Sequence, residues 1–144
     1  MQTMMKSWLV WSIFSALFAG LTAVLAKMGV EGVNSNLATA IRTTVVLVFT
    51  WAIAAQAASP AAFAGISKRS WFFLFVSGLA TGLSWICYFR ALQLGKASQV
   101  APIDKLSVVF AIALAAFFLR ESITWHHWVG GGLIVAGSIV LTIR

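Results

Sequence analysis

The chain has 144 residues, of which 61% are hydrophobic and 9% charged, and it carries a net charge of +7. A soluble domain carries about 25% charged residues, so this composition excludes an ordinary water-facing surface. The ten lysines and arginines are dispersed along the sequence, which excludes the gathered basic face of a nucleic-acid binder. Dispersed cations fit helix ends that meet anionic lipid headgroups. Membrane lipids are therefore the expected partners, and nucleic acid is not. The single cysteine, Cys87, rules out an internal disulfide.

A membrane-spanning helix needs about 20 consecutive, mostly apolar residues. The stretch from Ser7 to Ala26 is 20 residues without a charge, longer than the roughly 7–15 residues of a signal-peptide core. It reads as the first span, about 8–28. Gly29 and the polar run Glu31–Asn36 form a turn, and Asn34, Ser35 and Asn36 are good N-cap residues. The second span follows at about 37–57. Ser59-Pro60 ends it, and a loop runs to Lys68-Arg69-Ser70. A third span is expected at about 71–92, then a short turn over Gly95–Ser98. The fourth, about 100–119, has Pro102 in its first turn, where proline is tolerated. Arg120-Glu121-Ser122 closes that helix, and a fifth span follows at about 125–143. Trp8, Trp11, Trp71, Trp125 and Trp128 fall at span ends, where amphipathic indole rings collect. Continuous apolar runs without period-two alternation exclude a strand-built barrel. The fold class is thus an all-α integral membrane bundle of five helices, forming a single domain over residues 1–144.

Helices in lipid associate through small residues. The first span aligns Ser12, Ala16, Ala19, Ala23 and Ala26 on one stripe. The third places Gly78 and Gly82 four apart. The fifth carries Gly130, Gly132, Ala136 and Gly137. These stripes serve packing within the bundle, or a dimer seam, for which the fifth helix is best suited. A second stripe of the third helix holds Ser77, Thr81, Ser84 and Tyr88 at helical spacing, flanked by Trp85. Its hydroxyls either bond their own helix backbone or line a polar cavity. Thr39, Thr43 and Thr50 offer a comparable face on the second helix.

Charges within spans are costly and mark function. Arg42 lies one to two turns inside the second helix, Arg90 near the end of the third, and Asp104 and Lys105 near the start of the fourth. With Lys27, alternate crossings put all five on one side of the membrane. Lys27 and Arg90 are placed to snorkel toward the interface. Arg42 and Asp104 are the best functional candidates, with Asp104 expected to pair with Arg90 or Arg42. The cationic excess favours a carboxylate, a phosphate or a zwitterion. His126 and His127 point about 100° apart on a helix and do not chelate one metal together. No nucleophile–base pair, phosphate loop or zinc spacing is present. No enzyme activity, cofactor or metal is expected.

An odd number of spans puts the termini on opposite sides. Lys6, Lys68, Arg69 and Arg120 then share one side. Lys27, Arg42, Arg90, Lys96, Lys105 and Arg144 share the other. The bias is four against six, or four against three without the residues inside spans. The positive-inside rule selects no orientation, which is the pattern of a dual-topology protein.

The run Tyr88-Phe89-Arg90-Ala91-Leu92-Gln93-Leu94-Gly95-Lys96-Ala97-Ser98-Gln99-Val100-Ala101-Pro102 resembles the third-to-fourth helix junction of EamA-type proteins of the drug/metabolite transporter superfamily. The likeness continues through Phe118-Leu119-Arg120-Glu121 and into Trp128-Val129-Gly130, Leu133-Ile134 and Gly137. It is strongest over residues 88–141, and the five-span count extends it to the whole chain. The resemblance implies a helix bundle in a bacterial inner membrane that transports small metabolites, often outward. Larger relatives have ten helices in two inverted halves, and this chain is similar to one half. A site between inverted repeats would then need a partner, such as an antiparallel copy. Two departures stand out. A second proline common in the fourth helix is absent, with Ser107 or Val108 in its region. The first helix also lacks the acidic residue with which small multidrug-resistance relatives exchange protons for cationic drugs.

The expected function is a small transporter, working as a homodimer, that exports a polar metabolite by alternating access. The competing expectation is a membrane subunit that scaffolds or regulates a partner protein or lipid.

Overall fold

A computed structural model describes the backbone of residues 2–143 and the side chains of residues 8–143 apart from Pro60. Arg144 and the side chain of Lys6, both counted above in the charge bias, lie outside the described residues. Among the described residues, seven helices run in the order α1 (Gln2–Gly29), α2 (Ser35–Ala57), α3 (Pro60–Ala64), α4 (Lys68–Leu94), α5 (Ala97–Asp104), α6 (Ser107–Phe118) and α7 (Trp125–Thr142). No strand occurs among the described residues.

Four stretches are long and apolar enough to cross a membrane: Trp8–Gly29, Ser35–Ala57, Lys68–Leu94 and Ala97–Phe118. Their large side chains point outward with little protein over them. Leu17 is 64% exposed, Phe75 66%, Leu83 66% and Phe117 78%. Water would not tolerate such surfaces, and hydrocarbon covers them without cost. The protein is an integral membrane protein.

Local chemistry sets the helix boundaries. Asn34 Oδ1 accepts from the N–H groups of Asn36 (2.9 Å) and Leu37 (3.3 Å), which starts α2 at Ser35, two residues ahead of the expected 37. Ser67 Oγ accepts from Ser70 N–H at 3.1 Å, and α4 accordingly starts at Lys68 instead of 71. Between them, the expected loop contains the one-turn helix α3. Ser59 Oγ caps it by accepting from Ala62 N–H at 3.2 Å. Phe63 of α3 sits edge-on to Trp71 at 5.5 Å and lies 6.4 Å from Trp51, so aromatic contacts join the α2 and α4 ends at this loop.

The fourth expected span is not one continuous helix. Its first turn forms at Ala97, so Pro102 falls inside α5 and not at its start. A proline inside a helix lacks the N–H that would bond the preceding turn. The backbone tightens after it into i→i+3 bonds, from Lys105 N–H to Pro102 O (3.1 Å) and from Leu106 N–H to Ile103 O (3.0 Å). Such 3₁₀ geometry is confined to short stretches, and the helix restarts as α6 at Ser107.

Helix α7 is not among the four apolar stretches. Its first four residues, Trp125-His126-His127-Trp128, and the glycines Gly130 to Gly132 dilute its hydropathy. Its 18 residues span about 27 Å at 1.5 Å each, against about 30 Å of hydrocarbon. The expected fifth crossing therefore has a helix at its place, but not one apolar enough to count by composition. His127 lies within its N-terminal cap: Thr124 N–H donates to His127 Nδ1 at 3.1 Å.

The chain divides into two compact units. One comprises α1 through Met28 together with residues from Leu94 onward, and the other comprises Gly29–Gln93. In the first, α7 packs on α5 and α6. Ser138 is buried, and its hydroxyl donates to Pro102 O at 2.9 Å, so the carbonyl beside the helix break has a side-chain partner from α7. In the second, the buried residues gather at one end: Val30, Ser35 and Thr39 from the α1–α2 turn and α2, with Phe89 and Leu92 from α4.

Arg120, just after α6, has φ 55°. The left-handed region costs an L-residue about 1–2 kcal/mol and costs glycine little. Arg120→Gly is expected to stabilise the purified protein by up to about 1 kcal/mol, read as a higher thermal midpoint in detergent. A lower midpoint would show that the arginine side chain contributes more than the backbone strain removes.

Candidate functional site

The second unit assembles a cation over aromatic rings. Arg42 is the eighth residue of α2, about 10 Å from the helix start at 1.5 Å per residue. Its guanidinium carbon lies 4.2 Å from the Trp85 ring centroid and 5.7 Å from that of Phe89. A guanidinium over a ring face gains about 0.5–2 kcal/mol, most when desolvated. Arg42 and Trp85 are half-buried and Phe89 is fully buried. Among the described residues, Arg42 makes no ion pair, and its N–H groups make no hydrogen bond. The cation lies over the rings, and its N–H donors remain open to a ligand.

Trp85, Phe89 and Gln93 follow each other at four-residue steps and so share one face of α4. Each reaches α2 or the turn before it. Gln93 donates through Nε2 to Val33 O at 2.9 Å and accepts from Arg90 through Oε1 at 2.5 Å. Arg90 is thereby tied to the polar end of the unit, its charge facing outward. Farther along α4, Thr81 donates to Ser77 O at 2.9 Å, a bond within its own helix, and Ser77, Thr81 and Ser84 are exposed. Thr39 and Thr43, flanking Arg42 on α2, likewise donate to the carbonyls of Ser35 (2.8 Å) and Thr39 (2.7 Å).

In the first unit, Asp104 and Lys105 meet each other. Lys105 Nζ is 3.4 Å from Asp104 Oδ2, with side chains 56% and 37% exposed respectively. They occupy the break between α5 and α6, beside the Pro102 carbonyl that Ser138 holds. Unwound helix segments at membrane depth line ion and substrate paths in transporters, and this break carries both an acid and a base. The first unit also holds an apolar cavity of about 260 Å³, lined by residues of α6 and α7 that include Val109, Ile112, His127, Trp128 and Gly131.

The structure thus brings Arg42 together with Trp85, and Asp104 with Lys105. Phe89, Gln93 and Ser138 were missed by sequence reasoning. The i, i+4, i+8 spacing of Trp85, Phe89 and Gln93 was the available signal. Among the small residues, a methyl group built on Gly78, Gly82, Gly130, Gly132 or Gly137 would meet nothing within 4 Å among the described residues. Gly131 is instead the buried glycine of α7, with Val109 Cγ2 at 3.9 Å from such a methyl. Ala136 is exposed.

The fold is that of a helical membrane protein whose spanning helices carry an arginine over aromatic rings and an acid at a helix break. The chain belongs to the EamA-like transporter family, whose model matches residues 6–143; it is a membrane transporter. A protein of Sinorhizobium sp. described as an uncharacterized transporter in the cobO 3' region is 47% identical over 140 residues, covering 97% of this chain and 99% of that protein. A probable 4-amino-4-deoxy-L-arabinose-phosphoundecaprenol flippase subunit ArnE of Aeromonas hydrophila is 31% identical over 75 residues, which is 51% of this chain and 63% of that protein. An uncharacterized protein of Methanocaldococcus jannaschii, MJ1333.1, is 32% identical over 68 residues, 47% of this chain and 50% of that protein. No solved structure matches the chain.

Gln93→Ala removes the bridge between Arg90 and the α1–α2 turn. A net loss of about 1 kcal/mol is expected, with faster amide exchange around Val33 and Asn34. Unchanged exchange there would show that Gln93 does not hold the turn.

Proposed function

We propose that this protein moves a small polar metabolite across the bacterial inner membrane, outward, by alternating access of a central site. In this reading α7 is the fifth crossing, and residues 1–144 form a single transmembrane domain. Two copies assemble, antiparallel, so that each supplies the half that the other lacks. The observation that carries the proposal is Arg42. An arginine costs about 2.5–3.5 kcal/mol at a spanning helix's centre on insertion scales; Arg42 lies between the start and the centre of α2, and its donors are available to a solute. Asp104 and Lys105 at the helix break are the second candidate element. Ser77, Thr81 and Ser84 on α4, with Tyr88 and Arg90, complete the proposed polar path. Gly78, Gly82, Gly130, Gly132, Ala136 and Gly137 are the proposed packing surface, since their faces are open within one chain. The near-even charge bias supports insertion in both orientations.

The name of the ArnE relatives, a flippase subunit, favours a second reading in which this chain works beside a different partner. In that case it scaffolds or regulates the partner, or handles a lipid-linked solute with it. Reconstitution separates the two readings. Liposomes holding this protein alone are expected to release or exchange members of a broad metabolite panel. Arg42→Ala and Asp104→Asn are each expected to cut that flux at least tenfold. No flux of any solute would favour the partner-dependent reading, and full flux in both variants would remove these residues from the path.

A further inference from the structure

The transport reading leaves the sign and shape of the solute open between an anion and a zwitterion. We infer that the Arg42 site receives the oxyanion of an organic anion that has a flat apolar part and lacks an ammonium group. The inference rests on the proposed transport function but is decided by binding alone.

Three observations carry it. First, the Arg42 guanidinium carbon lies 4.2 Å from the Trp85 ring centroid, and the guanidinium N–H groups have no acceptor among the described residues. A guanidinium presents these donors as a fork that matches two oxygens of a carboxylate or phosphate. Second, the chain offers no carboxylate to a cation at this depth. Residues 32–103 contain no Asp or Glu. Of the three acids, Glu31 and Glu121 are exposed and lie outside the helices, and Asp104 is paired with Lys105. An ammonium group beside Arg42 would meet its like charge with no carboxylate from residues 32–103 to offset it, and like charges repel strongly in low dielectric. Third, the hydroxyl groups beside Arg42 donate into their own helix, Thr39 to Ser35 O and Thr43 to Thr39 O. The polar donor left for a ligand on this part of α2 is the guanidinium edge, and what surrounds it is aromatic. That combination fits an oxyanion attached to an apolar ring or chain better than a heavily hydroxylated solute.

The test uses the full-length protein in lipid nanodiscs and four probes: benzoate, inorganic phosphate, phenylalanine and tetraphenylphosphonium. Binding is measured by isothermal titration on wild type, Arg42→Lys, Arg42→Gln and Trp85→Leu. Helix content and thermal midpoint of each variant confirm folding. Benzoate is expected to bind at least tenfold more tightly than phenylalanine, and tetraphenylphosphonium not to compete. Arg42→Gln is expected to weaken benzoate binding at least tenfold, with Arg42→Lys intermediate because it keeps the charge and loses the fork. Trp85→Leu is expected to weaken it less than Arg42→Gln. Phosphate competing as well as benzoate would keep the oxyanion and overturn the apolar part. Phenylalanine or the cation binding as tightly as benzoate, Arg42→Gln binding undiminished, or no anion binding at millimolar concentration would each overturn the inference. Anion binding without flux in liposomes would refute the transport reading and leave the inference standing. Flux of cations without anion binding would do the reverse.

Discussion

A charge inside a bilayer must be satisfied by the protein or by what the protein carries, and Arg42 is where this chain faces that constraint. Removing a guanidinium from water is expensive, and the usual remedy, an adjacent carboxylate, is absent from residues 32–103. The protein uses ring faces instead. Trp85 and Phe89 stabilise the cation without neutralising it. Much of the second unit follows from holding that arrangement. Phe89 is buried at the closed end, Leu92 and Val30 seal it, and Gln93 ties the end of α4 to the turn before α2.

The first unit meets the same constraint differently. Pro102 lacks an amide hydrogen, and a helix interrupted in hydrocarbon must find partners for its freed backbone groups. The tightened turn at Lys105 and Leu106 provides some, and the buried Ser138 hydroxyl provides another at the Pro102 carbonyl. The ion pair of Asp104 with Lys105 then sits at a place where the backbone is already irregular. One unit therefore presents an unneutralised cation over aromatic rings, and the other a neutralised pair at a helix break.

The sequence made the membrane character legible through composition, and the first three crossings through uninterrupted apolar length. The α2 start was legible because Asn34 is a strong N-cap. The break between α5 and α6 was not, because Pro102 is harmless in a first turn and disruptive one turn later, and the boundary between those cases is three residues. Helix α7 was read as a span from its position and its tryptophans, but His126, His127 and three glycines leave it short of the apolar content that the other four possess. At the site, Arg42 and Asp104 were legible as costly charges. The partners of Arg42 were harder, because Trp85 and Phe89 look like ordinary lipid-facing aromatics until α2 is placed beside them. Gly131 was passed over for Gly130 and Gly132 because small residues three or four apart fit more than one face of the same helix.

The proposed five crossings put the two ends of the chain on opposite sides of the membrane, and the proposed transporter is complete when copies insert both ways. Fusing the C-terminus to a reporter active only in the cytoplasm, and separately to one active only outside, tests it directly. The account predicts comparable activity from both fusions at matched expression. Strong activity from one reporter alone would contradict it and would require a parallel assembly or a different partner.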